Sequence, residues 1–405
     1  MQTEKEIIDQ ICLLDDWFSK NGYRGYDIYD LYDVPLFHWL ITNRPLLVRK
    51  INRKLVSSLV HSFPNVIIKT FGINRNVNAK AMGLILKGYC NLFRITREDG
   101  FRKKAVHVAE WLMGHRSDGI TGYGWGYPFD WSGSKFIPKF TPSSVVTSIV
   151  GDGFYSLYKL TADHEYLNVC DRICQFYLND LNIDVVDENR ICFSYTPIDN
   201  DHVHNANLFA SEFLIRVGKE IGNEEYVQYG IRGVNHTLAE QNDDGSIFYW
   251  GKKDGRFLKF TRSRVDHYHT GFELRKLWEI WKLLRDPRIK DSFDRYYRFY
   301  QTNFLGDGLI YQRPKAKNAL NIHSCAEFII CNSIVKNGEN TSAPWFGKIL
   351  DWINREMLDT DRLYNFQLSY IGPFKIRNKF KFFRWSQAWM FLALTEYLLS
   401  LRSEW

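Results

Sequence analysis

The stretch SSVVTSIVGDGFYSLYKLTADHEYLNVCDRICQFYLN, residues 143–179, decides the fold. Its first part, 145–160, is mostly apolar or small, as a helix covered on most sides should be. A short connection at 161–163 follows. From 164 to 179, apolar residues return at spacings of three and four with charged residues between them, the pattern of a helix exposed along one side. The stretch therefore reads as a hairpin of one covered helix and one outer helix.

Working outward, the same unit recurs. A loop rich in glycine and aromatic residues precedes each covered helix, and these helices start near Asn78, Ser143, Asn205, Tyr268, His323 and Trp385. The successive spacings are 65, 62, 63, 55 and 62 residues, which suits two helices plus a long loop. Outer partners are expected over 100–114, 164–179, 224–240, 287–303 and 344–357. The sixth covered helix, 385–399, has no outer partner after it, so an N-terminal helix, either 4–21 or 45–62, is expected to take that place. The expected fold is all-α: six helical hairpins closed into a toroid, with an open solenoid as the alternative. One domain over 1–405 is expected, with 1–77 as an N-terminal helical extension.

A hydrophobic share of 45% and a charged share of 24% are ordinary for a globular chain, whereas the aromatic share of 16% is high. Many of those rings fall in the loops, where they can stack on sugars or pack on one another. The formal charge of +7 suits an acidic partner such as a uronic-acid polymer or a phospholipid surface. No zinc-finger spacing, recognition-helix pattern or basic tail points to nucleic acid. Seven cysteines without paired spacing argue against a disulfide framework, and Cys170 and Cys174 read as packing residues. No apolar run reaches membrane-spanning length and residues 1–10 have no signal-peptide core, so the cytoplasm, or the inner membrane face, is the expected location. Within the extension, Arg44, Arg49, Lys50, Arg53 and Lys54 alternate with Leu46, Leu47, Val48, Ile51, Leu55 and Val56. Residues 44–56 thus read either as a helix lying on an anionic membrane or as one packed on the toroid with its basic face in water.

The long loops all precede covered helices, so a ring would gather them on one rim. The loop at 122–131 reads GYGWGYPFDW and offers Trp125, Tyr127, Asp130 and Trp131. The next offers Tyr195, then His202, His204, Asn205 and Asn207, too many short polar groups to be buried unpaired. His202 and His204 lack a matching carboxylate-and-histidine helix pattern, so neither a metal nor any other cofactor is expected. The third loop ends RSRVDHYHTG at 262–271, where Asp266, His267 and His269 meet Tyr268 at the start of a covered helix. This cluster ranks first for catalysis, with Arg264 as a carboxylate ligand. Its structural alternative is that Asp266 caps the helix and a histidine merely bonds to it. Tyr311, Arg313, His323 and Arg384 complete the candidate binding residues; the basic run Lys375, Arg377, Lys379, Lys381 and Arg384 has no acidic neighbour in sequence.

Several of these motifs, GWGYPFDW (124–131), CFSYTP (192–197), NAN (205–207), QxxDGS (241–246) and DHYHTG (266–271), resemble proteins encoded with bacterial exopolysaccharide genes. More distantly, TPSS at 141–144 and the Asp/Tyr/His/Thr string at 266–270 are similar to the helical domain of heparosan glucuronyl 5-epimerases, whose β-rich N-terminal domain has no counterpart here. The resemblance implies an (α/α)6 toroid and a polysaccharide or lipid-linked oligosaccharide as partner.

The expected chemistry is proton abstraction beside a uronic-acid carboxylate, as in 5-epimerisation or β-elimination. Tyr127, Tyr195 and Tyr268 are candidate proton carriers, His267 or His269 the base, and Arg264 and Arg313 the carboxylate ligands. A tyrosine base would need its pKa lowered, which nearby arginines could do. Two alternatives stay open. A glycoside hydrolase would need paired carboxylates from among Asp130, Asp199, Asp201, Asp244 and Asp266, and a non-catalytic glycan-binding or assembly protein would need none.

Overall fold

The computed structural model describes residues 4–41, 46–132, 136–252, 265–306, 308–317, 319–335 and 341–402. The fold is mostly helical. Five helical hairpins follow one another: α5 (Ala79–Thr96) with α6 (Asp99–Gly114), α7 (Ser144–Thr161) with α8 (His164–Asn179), α9 (His204–Ile221) with α10 (Glu224–Glu240), α11 (His267–Leu284) with α12 (Pro287–Phe304), and α13 (Ile322–Ile334) with α14 (Pro344–Met357). A π-helical turn, Phe383–Ala388, runs into α15 (Trp389–Leu401). N-terminal to these lie α1 (Glu4–Lys20), a 3-10 turn at Ile28–Leu31, α2 (Pro35–Ile41), α3 (Leu46–Ser62) and α4 (Pro64–Phe71).

The inner helices form a closed ring, because α15 packs against both α13 and α5. The sixth outer position is filled by α1, which packs on α15 through Ile7, Ile11, Leu14 and Phe18. Of the two N-terminal helices expected from sequence, the first closes the ring. Inner helices are covered on nearly every side, as in the buried run Ser144–Phe154 of α7, whereas α8 buries one stripe, Leu167, Cys170, Ile173, Cys174 and Tyr177. Close approach of neighbours depends on small residues: a Cβ on Gly83 of α5 would come within 2.9 Å of the Val150 Cα of α7.

Asn78, Ser143, Asp266 and Asn321 each accept a backbone hydrogen bond at the start of an inner helix, so capping chemistry sets where these helices begin. The second residue of each inner helix consequently occupies an equivalent place on one rim. Lower in the ring, Lys276 lies 2.7 Å from Glu212 and 2.9 Å from Glu279, and Arg216 lies 2.8 Å from Glu212. These buried charges satisfy one another and tie α9 to α11.

The rim loops carry short strands that the all-α reading did not predict. Ile183–Asp187 pairs with Arg190–Phe193, and Gln367–Ile371 pairs with both Ala319–Asn321 and Phe374–Asn378. The basic run of the last loop has acidic partners after all: Glu356 binds Lys375 at 2.9 Å and Arg377 at 2.6 Å, and Asp359 binds Lys381 at 3.0 Å. Among the described residues, no helix is long and apolar enough to cross a membrane.

Candidate active site

One rim of the ring opens into a pocket of about 650 Å³, open solvent at its mouth included. Its frame follows from the helix starts. The second residues of the inner helices, Lys80, Val145, Asn205, Tyr268 and His323, all line it, and Arg384, second in the π-helical turn, completes the circle. Loops add Tyr127, Phe129, Trp131, Tyr195 and Tyr249, and Tyr29 reaches in from the N-terminal 3-10 turn. Among the described residues lining the pocket, none is Asp or Glu.

Asp266 both caps α11 and grips His269: His269 Nδ1 lies 2.8 and 2.9 Å from its two carboxylate oxygens. A carboxylate on Nδ1 fixes the ring and directs its chemistry to Nε2. His323 stacks between Tyr268, at 4.6 Å and 20°, and Trp389, at 4.4 Å and 30°. It is buried, and neither of its ring nitrogens has a hydrogen-bond partner. Burial, then repulsion from Lys80, Arg384 and His269, holds it well below the ordinary histidine value, so it is neutral at neutral pH. Asn205 Oδ1 is likewise buried without a partner. Unpaired polar atoms around one cavity mark places where a ligand would complete the bonding.

Two cations face this wall. Arg384 is buried and pairs with Asp27 through two hydrogen bonds, at 2.5 and 2.9 Å. Asp27 supports its charge against the penalty of burial. Lys80 Nζ donates to the Tyr127 hydroxyl at 3.3 Å. Burial and then Arg384 push its ammonium well below the usual lysine value. The nearby cations do not give the tyrosines the lowered pKa that a tyrosine base would need. Burial raises Tyr127 to about 12 and also pushes Tyr195, hydrogen-bonded to it, well above the ordinary tyrosine value. Both hydroxyls therefore stay protonated at neutral pH, and at Tyr127 desolvation outweighs the nearby Arg384.

Tyr127, Trp131, Tyr195, Asn205, Tyr268, His269, His323 and Arg384 thus meet in one place, with Asp266 directly behind His269. The other described candidates do not line the pocket. Trp125 is fully buried and donates its indole N–H to the Leu112 carbonyl at 2.8 Å, making it a core residue. Asp130 accepts the Lys139 amide at 2.6 Å and shapes its loop. His267 is fully buried between the helices, 3.0 Å from the Tyr300 hydroxyl of α12, and burial lowers it to about 3. Asn207 ties α9 to Gly233 and Thr237 of α10. His202 binds Asp184 at 2.8 Å and His204 binds Glu240 at 3.1 Å, both behind the pocket wall. Tyr311 lies against Gly306, and Arg313 is exposed on a separate loop. Arg264 lies outside the described residues.

No family model matches the chain, and no curated protein matches its sequence. Solved structures do match in three dimensions. A GH76 α-mannanase from Bacteroides thetaiotaomicron aligns with a TM-score of 0.57 at 13% identity, covering 80% of this chain and 87% of its own. A polysaccharide lyase aligns at 0.58 and 11% identity over 99% of both chains. Cellobiose 2-epimerase from Bacillus thermoamylovorans aligns at 0.56 and 13%, covering 80% and 90%. The fold is an (α/α)6 toroid. These neighbours carry out several different reactions, and at 11–13% identity the likeness shows the fold and not the reaction.

Proposed function

We propose that the pocket is the active site of an enzyme that removes the carbon-five proton of a uronic-acid residue, in an acidic glycan or its lipid-linked precursor. The observation that carries this reading is the lining itself. Among the described residues it holds two imidazoles, His269 and His323, and two basic side chains, Lys80 and Arg384, but no carboxylate.

The chemistry fits that inventory. A carboxylate bound between Arg384 and Lys80 would have its charge balanced. His269 Nε2, or neutral His323, takes the proton from carbon five. The electron pair of that C–H bond moves into the carboxyl group as an enolate, which the cations stabilise. Return of a proton to the opposite face inverts carbon five. Departure of the oxygen on carbon four, protonated by Tyr195, instead leaves a carbon–carbon double bond and a new chain end. Both routes need a base and a donor, and neither needs a paired carboxylate. Trp131, Trp385 and Phe272 offer faces for sugar stacking.

A glycoside hydrolase is disfavoured by the same lining, since Asp27 and Asp266 are each held by a cation or an imidazole behind the wall. Incubation with uronic-acid polymers in deuterated water, followed by NMR, tests the proposal. Deuterium at carbon five or an unsaturated uronate supports it. New reducing ends without either would mean hydrolysis, and binding without any change would mean a non-catalytic glycan receptor.

A further inference from the structure

Behind the pocket wall lies a second cluster that the proposed reaction does not use. Cys192, on the strand Arg190–Phe193, comes together with His202, which precedes α9, and His236 of α10. One ligand atom from each lies within 4.8 Å of the others, and all three side chains are buried. His204 and Glu240 approach His236 from its other side under the same limit. His236 is the outlier: it is 2% exposed, and neither ring nitrogen has a hydrogen-bond partner. Its ring lies 4.9 Å from that of His202 and 5.6 Å from that of His204. A buried imidazole left unsatisfied among a thiol and two other imidazoles calls for an explanation.

We infer that Cys192, His202 and His236 bind a zinc ion. One sulfur and two imidazole nitrogens suit Zn²⁺, whose tetrahedron they would fill to three positions. The surroundings fit as well. His202 Nε2 is 2.8 Å from Asp184 Oδ2, the carboxylate–histidine pairing that orients a metal-bound imidazole through its other nitrogen. His204 and Glu240 bond to each other at 3.1 Å, and each offers a ligand atom within 4.8 Å of His236. The ion would fasten the Ile183–Asp187/Arg190–Phe193 hairpin to α10. It would also hold the segment where Gly251 N–H donates to the His202 carbonyl and His204 N–H to that of Tyr249, and so fix the wall bearing Asn205 and Tyr249. The role is positional, and it stands apart from the proposed uronate chemistry.

The test is elemental analysis of the untagged full chain, with Co²⁺ substitution as a spectroscopic probe. The expected result is one Zn²⁺ per chain, a cobalt form showing thiolate-to-metal absorption, and loss of both in Cys192→Ser and His236→Ala. A wild-type chain that stays metal-free and takes up neither ion in equilibrium dialysis overturns the inference. So does zinc retained in full by both variants, which would mark adventitious binding elsewhere.

A separate observation carries a second inference. Exposed apolar residues concentrate on the N-terminal helices: Trp39 of α2, Ile51, Leu55 and Leu59 of α3, and Val66 of α4 are 57%, 54%, 59%, 46% and 59% exposed, with Phe63 at 56% between α3 and α4. On α3, Val56 and Val60 face inward, so Ile51, Leu55 and Leu59 form an outward stripe that stays about half exposed among the described residues. Such a patch on a soluble surface marks a docking site. From residue 34 to residue 97 the sequence contains no Asp or Glu, while Arg53, Lys54 and Lys69 are exposed beside the stripe. We propose that this face lies on an anionic lipid bilayer, apolar side chains in the interface and basic ones at the headgroups. Sedimentation with phosphatidylglycerol-containing vesicles tests it. The chain should pellet with them, less with phosphatidylcholine alone, and neither after Ile51→Asp with Leu55→Asp. A chain left in the supernatant with both vesicle types contradicts it, as does a solution dimer that the double variant splits without any vesicle binding.

Discussion

Arg384 and Asp27 form a two-pronged ion pair across 357 positions of sequence, joining the N-terminal extension to the sixth inner helix at the pocket wall. Both side chains are buried, at 1% and 3% exposure. Removing one partner strands the other charge, at a cost of about 3–5 kcal/mol. Asp27→Ala should therefore lower the thermal midpoint markedly and abolish uronate binding. An unchanged midpoint would mean that Arg384 finds another anion.

His269→Ala should abolish carbon-five exchange with solvent while the melting temperature falls by no more than a few degrees, since the ring borders a cavity. Asp266→Asn keeps the helix cap but offers an amide to Nδ1. It should cut the exchange rate by about 10²–10⁴ through misorientation of the base. Exchange measured by NMR and melting by calorimetry separate the two effects. A collapse of folding in His269→Ala would make that residue structural.

Tyr195 is kept protonated by burial, so it acts as a donor. Tyr195→Phe should lose product formation, by ultraviolet absorbance or epimer ratio, yet retain exchange at carbon five. Loss of both together would place the tyrosine in the first proton transfer.

Trp125→Ala removes a buried ring and strands the Leu112 carbonyl. It should cost about 3–5 kcal/mol in chemical denaturation and leave KM of the remaining folded enzyme unchanged. A selective rise in KM would return this residue to the binding surface.

Lys80 sets the expected pH dependence. Burial, then Arg384, depresses its ammonium in the empty pocket, and a bound carboxylate would favour the charged form again. Binding then takes up a proton. Affinity for uronate is full below the depressed value of the empty pocket and declines as pH rises toward the higher value in the complex. Calorimetric titrations in buffers of different ionisation heat should show that uptake in the wild type and not in Lys80→Met. Identical proton counts in the two would rule Lys80 out.

The helix starts were legible in the sequence because polar capping residues stand ahead of apolar runs at a repeat of about sixty residues. The same repeat held a signal that a search of the loops passes over. Lys80 occupies the register of Asn205, Tyr268 and His323, yet a single lysine early in AKAMGLIL draws no notice. Asp27 could not be found this way, since its value lies in a contact between opposite ends of the chain. Trp125 shows the converse: a glycine-rich aromatic loop suggests an exposed ring, but whether the indole faces sugar or core depends on packing that no local pattern encodes. Burial, likewise invisible in sequence, raises the pKa of Tyr127 and Tyr195 where a tyrosine base would need it lowered.

The central claim is that one sugar carboxylate sits against Arg384 while carbon five faces the imidazoles. A crystal structure with a soaked uronate oligosaccharide measures this directly. The carboxylate should lie within hydrogen-bonding distance of Arg384, with carbon five in reach of His269 or His323. A sugar seated elsewhere, or one turning its carboxylate to solvent, would contradict it.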